Sequence, residues 1–148
     1  MSVDMEQIRR HAVAALQARL PSVLAAVDAE ANIDGVSVET PIPKEIFDYP
    51  VFEESVVVWP SCIVLGRRAP YVSGPNDQGH VIRRYELEVE VWFSDSDQAI
   101  LGTWVERAAR AVALILESSS TWDRLGTFNR RTVDALFSDV LSVETEFI

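Results

Sequence analysis

The sequence predicts an α+β domain: an antiparallel sheet of about four strands, two main helices packed on one face, and a long protruding hairpin loop. Three observations predict it. Apolar residues recur at helical spacing near the start of the chain and again from Leu101 to Ile115, and between and after these stretches they alternate with charged residues at strand spacing. With 148 residues and 48% apolar content, the chain suits one domain with one core, burying roughly 70% of its unfolded surface.

The first helix is read from Ile8, Ala12, Ala15, Leu16, Arg19 and Leu20, with Asp4 and Glu6 near its positive N-terminal end. Pro21 removes an interior hydrogen-bond donor, so a kink or fresh start is expected there. The helix then resumes through Val23, Leu24 and Val27 to about Ala31, and Asp34-Gly35 turns the chain. Pro41, Pro43, Pro50 and Pro60 follow among Phe47, Tyr49, Phe52 and Trp59, too much proline for a regular central strand except at Ser55 to Trp59. This stretch reads as an extended arm with aromatic anchors and with Glu45, Asp48, Glu53 and Glu54 toward solvent.

Ser61 to Gly66 reads as a buried strand and Val81 to Phe93 as a longer one, joined by residues 67–80. A connection of that length without structure of its own is uncommon in a compact domain and is often functional. Hairpin pairing would bring Arg67 and Arg68, leaving one strand, toward Arg83 and Arg84, entering the next. Those guanidinium groups would pair either with carboxylates of the same chain or with those of a neighbour reached by the loop.

In the long strand, Tyr85, Leu87, Val89, Val91 and Phe93 can enter a core while Glu86, Glu88 and Glu90 take the other face. The last strand repeats the pattern in Leu141 to Phe147, where Ser142, Glu144 and Glu146 would extend the acidic face if the two strands share a sheet. Between them lies the second helix, capped by Asp95 or Ser96, with an apolar stripe of Leu101, Trp104, Val105, Ala108, Ala111, Val112 and Ile115. Glu106, Arg107, Arg110 and Glu117 are expected on its opposite side, with Trp104 as core filler. Trp122 to Arg131 reads as a turn-rich connection, and Val133 to Phe137 as a short strand or a single helical turn.

Charge and composition exclude several functions. A net charge of −10, from 23 acidic and 13 basic residues, disfavours binding to polyanions such as DNA or RNA. Cys62, the one cysteine, lies in an apolar run, permits no intramolecular disulfide and reads as a buried, inert thiol. The N-terminus has no signal-peptide pattern and no window carries the ~20 apolar residues of a membrane span, so a soluble protein made in a cytoplasm is expected. His11 and His80 have no partner at metal-ligand spacing, and no phosphate-binding glycine run or nucleophile elbow is present. A flat glutamate ladder converges poorly on one ion, so neither a metal nor another cofactor is expected. Nothing points to an enzyme.

Taken together, the order helix, proline-rich arm, strand, long loop, long strand, helix and terminal strand resembles the tail terminator (tail completion) proteins of long-tailed bacteriophages. The resemblance runs along almost the whole chain. It rests on the amphipathic N-terminal helix, on Trp59-Pro60-Ser61-Cys62-Ile63-Val64 as an aromatic-proline entry into an apolar strand, on Arg83-Arg84-Tyr85 opening an alternating strand, and on the helix from Leu101 to Leu116. It implies a hexameric ring at the head-proximal end of the tail tube, one that ends tube growth and offers a docking surface to the head-tail connector or stopper. It also implies a virion protein of tail or neck, made in the host bacterial cytoplasm, with itself, the major tail tube protein and the connector as partners and with DNA passing through unbound. Six copies at −10 each would carry −60, which opposes assembly unless like charges are directed into solvent. A channel lined by Glu86, Glu88, Glu90, Glu144 and Glu146 would do so. Arg67, Arg68, Tyr71, Arg83 and Arg84, with Phe47, Tyr49 and Phe52 of the arm, are then the candidate interface residues. The alternatives are another phage neck or minor tail protein, or a small dimeric α+β ligand-binding domain with the ladder facing a cleft.

Overall fold

In the computed structural model the described residues are 5–49, 60–66, 71–75, 81–95, 97–118, 121–122, 128–137 and 140–147; residues 71–75, 81–86, 128–137 and 140–147 are described by backbone alone. The elements are α1 (Met5–Ala31), β1 (Glu45–Phe47), β2 (Ser61–Gly66), β3 (Tyr71–Pro75), β4 (Val81–Trp92), α2 (Gln98–Leu116), β5 (Phe128–Phe137) and β6 (Val140–Phe147). The class is mixed α+β, as the patterning predicts.

The expected antiparallel sheet of about four strands is corrected on two counts. The sheet is mixed, because β1 lies parallel to β2 while β2 lies antiparallel to β4. β1, β2 and the second half of β4, from Leu87, form the part whose side chains are described, and backbone pairing carries the sheet on in the order β1-β2-β4-β6-β5, with β3 also on β4, to six strands. A further correction concerns the long connection. Tyr71 to Pro75 pairs with the start of β4, Tyr71 opposite Arg84, so the segment expected to be a bare loop contributes a strand. Val133 to Phe137 is strand, within β5.

Helix α1 runs as one 27-residue element through Pro21, where a break was expected. Its buried stripe explains this: Leu16, Leu20 and Leu24 keep their spacing across the proline, and packing outweighs one lost hydrogen bond. By length and composition α1 passes as a candidate membrane span, its most apolar 18-residue stretch having a mean hydropathy of 1.3. In the fold, however, Ile8, Ala12, Leu16, Leu20, Leu24 and Val27 are buried in the core. They meet Ala108, Ala111, Val112, Ile115 and Leu116 of α2 and, from the sheet, Cys62, Val64, Leu87, Val89 and Val91. By register Cys62 stands opposite Val91 and Val64 opposite Val89, so these sheet residues share one face and both helices cover it.

Local chemistry fixes the ends of the elements. Asp97, not Asp95 or Ser96, caps α2, its carboxylate accepting from the N–H groups of Ala99 and Ile100; Asp95 accepts from the Asp97 N–H one step earlier. After α1 the chain turns at Asp34 (φ 53°) and Gly35 (φ 84°), both left-handed, closed by the Val36 N–H donating to the Ile33 carbonyl at 3.0 Å. Beyond α2, Trp122 is fully buried and its indole N–H donates to the Leu116 carbonyl at 2.8 Å, a bond that terminates the helix and fixes the departing chain.

Candidate functional site

Two places gather charge, and they do so in opposite ways. The first is the acidic strand face. β4 and β6 are neighbours, and the register sets Glu86 opposite Glu144, Glu88 opposite Ser142 and Arg84 opposite Glu146. On the far side of β6, Thr132 stands opposite Glu144 and Arg130 opposite Glu146. A row Arg84-Glu146-Arg130, alternating in sign, therefore lies beside a row Glu86-Glu144 of like sign.

Toward β2 the face changes character. Glu90 stands opposite Ile63 and Glu88 opposite Leu65, and both glutamates are half-buried rather than open to water. Ile63 is 0% exposed although it lies on the face away from the helices. Burial, followed by the charge of Glu90, pushes the Cys62 thiol up to about 12, which keeps it protonated and unreactive at neutral pH.

The remaining expected interface residues are spread along the sheet. Arg83 stands opposite Val72 on one side and Phe147 on the other, and Arg84 opposite Tyr71 and Glu146. Phe47 ends β1 and meets Tyr49 edge to face, ring centroids 5.5 Å apart, with Tyr49 56% exposed. Arg67, Arg68 and Phe52 lie outside the described residues, as do Ser55 to Trp59 and His80. The His11 ring hydrogen-bonds the Gln7 carbonyl at 2.8 Å. Among the described residues no three His, Cys, Asp or Glu gather as they would about a metal ion.

The second place was not anticipated. Arg107, expected on the outer side of α2, is buried at 7% exposure and reaches Asp28 of α1, itself at 8%. One guanidinium nitrogen donates to Asp28 Oδ1 at 2.9 Å and to the Val38 carbonyl at 3.0 Å. Asp28 accepts two further bonds, from the Thr40 hydroxyl at 2.7 Å and the Thr40 N–H at 2.9 Å. Asn32 completes the clasp: its amide donates to the Val38 carbonyl at 2.9 Å and accepts from the Val38 N–H at 3.1 Å, as a paired strand would. Burial alone would raise the Asp28 pKa, but the bonds from Thr40 and Arg107 and the Arg107 charge outweigh it and hold the carboxyl below its ordinary value. Beside the clasp, α1 and the arm enclose an open cavity of about 400 Å³, lined by Pro21, Leu24, Asp28, Thr40 and Ile42 among others.

This clasp orders the arm, residues 32–44, against both helices. Both Asp28 oxygens accept hydrogen bonds within the fold, Oδ1 from Arg107 and the Thr40 hydroxyl and Oδ2 from the Thr40 N–H. A sequence signal for it existed. Asp28 falls four residues after Leu24 on the stripe of α1, and Arg107 three after Trp104 and four before Ala111 on that of α2. Opposite charges at core positions of two helices are expected to find each other. No protein-family model matches the chain, and no curated protein matches it in sequence.

Proposed function

We propose that the chain is a structural virion protein that forms a ring at the head-proximal end of a phage tail tube, ends tube polymerisation and joins the tail to the head connector. The observation that carries this reading is the register of β4 against β6. It sets Glu86 beside Glu144 and, by strand alternation, aligns both with Glu88 and Glu90 on the sheet face away from the helices. Like charges opposite one another on adjacent strands cost stability in one copy, so we read the face as serving a task outside the fold. A channel that passes DNA without holding it is such a task, because phosphate contacts dominate adhesion to DNA and this face supplies repulsion instead. The net charge of −10 and the element order support the same reading. In this role the chain is not an enzyme and needs no cofactor.

The test is assembly and ejection. Purified protein added to polymerising tube protein should give tubes of limited length bearing a terminal ring in electron micrographs. Glu86→Lys, Glu88→Lys and Glu90→Lys together should leave rings intact but impair DNA ejection; normal ejection by that variant defeats the channel assignment. The cavity of about 400 Å³ beside Asp28 favours a second reading, a small ligand-binding domain, because its volume falls in the usual range for small-molecule pockets. A dimer or monomer whose thermal midpoint is raised by a metabolite library member would select that reading over the ring.

A further inference from the structure

We infer that copies of this chain associate head to tail through the two opposite edges of the sheet, the β1 edge with its preceding arm on one copy receiving the β5 edge of the next. This deepens the ring reading and rests on it only for closure. In the strand order β1-β2-β4-β6-β5, the end strands β1 and β5 each have one neighbour among the described residues. An unpaired strand edge is a template for another strand, and a folded protein covers it, blunts it or uses it.

The two edges differ in the way a heterologous contact requires. From Ile33 to Tyr49 the chain carries Asp34, Glu39, Glu45 and Asp48 against Lys44, a net −3. Strand β5 carries Arg130 and Arg131 against Asp134, a net +1 in a chain of net −10. The acidic edge is also apolar where it meets solvent: Ile42 is 45% and Tyr49 56% exposed, with Ile33 and Val36 exposed ahead of them. The clasp of Asp28, Arg107 and Thr40 holds this arm in place before any partner arrives, which lowers the ordering cost of docking. Because one edge is acidic and the other basic, edge-to-edge contact between like edges is disfavoured and the contact repeats in one direction.

Disulfide trapping tests this against a quiet background, because the chain's one native cysteine, Cys62, is buried. Cysteine is placed in the stretch from Ile33 to Tyr49 (Ile42→Cys or Tyr49→Cys) and in β5 (Asn129→Cys or Arg131→Cys), and the full-length variants are oxidised with diamide. A variant with one new cysteine should stay monomeric on a non-reducing gel. Mixing a variant of that stretch with a β5 variant should give a heterodimer, and a chain with both cysteines a ladder. Homodimers from single variants, or no cross-link in any of the four pairings, overturn the proposal. As a check independent of cross-linking, Arg130→Glu with Arg131→Glu should weaken self-association in light scattering by roughly tenfold or more. Adding Glu45→Arg and Asp48→Arg to the same chain should restore it; no loss, or a loss without restoration in a chain of unchanged circular dichroism, counts against it. An open ladder that never closes would leave the edge contact standing and defeat the ring. A closed ring without edge cross-links would do the reverse.

Discussion

The clasp between the helices and the ladder on the sheet spend charge in opposite ways. At the clasp, one cation and one anion are buried together, each oxygen of Asp28 has a donor, and the arm is tied to α1 and α2 through Thr40 and Val38. On the ladder, the register sets Glu86 opposite Glu144 on neighbouring strands, with Thr132 next along the row. Buried opposite charges are a matter of folding, because removing either leaves the other unpaired in a medium that solvates it poorly. Aligned like charges cost a little stability and chiefly set what the surface attracts or repels. The two regions therefore fail differently: the clasp should respond to mutation in stability, the ladder in association and transport.

The largest expected effect tests the clasp. Arg107→Ala strands a buried carboxylate and should destabilise the fold by about 3 to 5 kcal/mol in urea or guanidinium titration. Replacing both partners, Asp28→Leu with Arg107→Met, should cost less than that single change, because no lone charge remains. Recovery stays partial, since the Thr40 N–H loses its acceptor. A loss below about 1 kcal/mol for Arg107→Ala would place the pair with surface ion pairs such as Arg110–Glu30, 2.8 Å apart and half open to water.

A pH titration separates the regions next. The folded-state pKa of Asp28 is depressed below its ordinary value of 3.8, so the clasp's contribution is full above the unfolded pKa and is lost as pH falls through the folded one. Asp28→Asn should therefore lower stability at neutral pH and flatten the acid limb of the stability curve. An unchanged acid limb would mean that other carboxylates govern acid unfolding. Smaller again is the cap: Asp97→Ala should cost about 1 kcal/mol, a local measure of what one exposed carboxylate contributes when it bonds two N–H groups of α2.

What could be read from the sequence divides along physical lines. Helix α2, the core stripe of α1 and the alternation of β4 and β6 are repeating patterns, and burial of one face makes a pattern legible. The Asp34-Gly35 turn was legible because few residues adopt left-handed φ readily. Strand β1 was not: its three residues lie in a proline-rich arm and pair in parallel with β2, a contact made by tertiary geometry rather than local preference. Strand β3 was hidden because Tyr71-Val72-Ser73 is too short to show alternation before Gly74-Pro75. The clasp is hidden from a reading by residue type: Arg107, as a charged residue, is expected on the outer face and Asp28 draws no expectation, although both occupy apolar spacing. The acidic face was legible as a pattern, but the half-burial of Glu88 and Glu90 depends on what surrounds Ile63, which no strand pattern encodes.

The smallest expected effect bears most directly on the ladder. If Glu86 and Glu144 repel across the β4–β6 pair, Glu144→Lys should stabilise the fold by about 0.2 to 1 kcal/mol, and the gain should shrink as salt is raised from low to physiological concentration. Both arms of that measurement matter. A gain that survives high salt would come from packing or strand propensity, not charge. A loss would mean that the pair meets a partner's cation, and the ladder would then belong to an interface rather than a channel. The same variant should be tested for DNA ejection, because a more stable chain that ejects poorly would separate what the sheet needs from what the assembly needs.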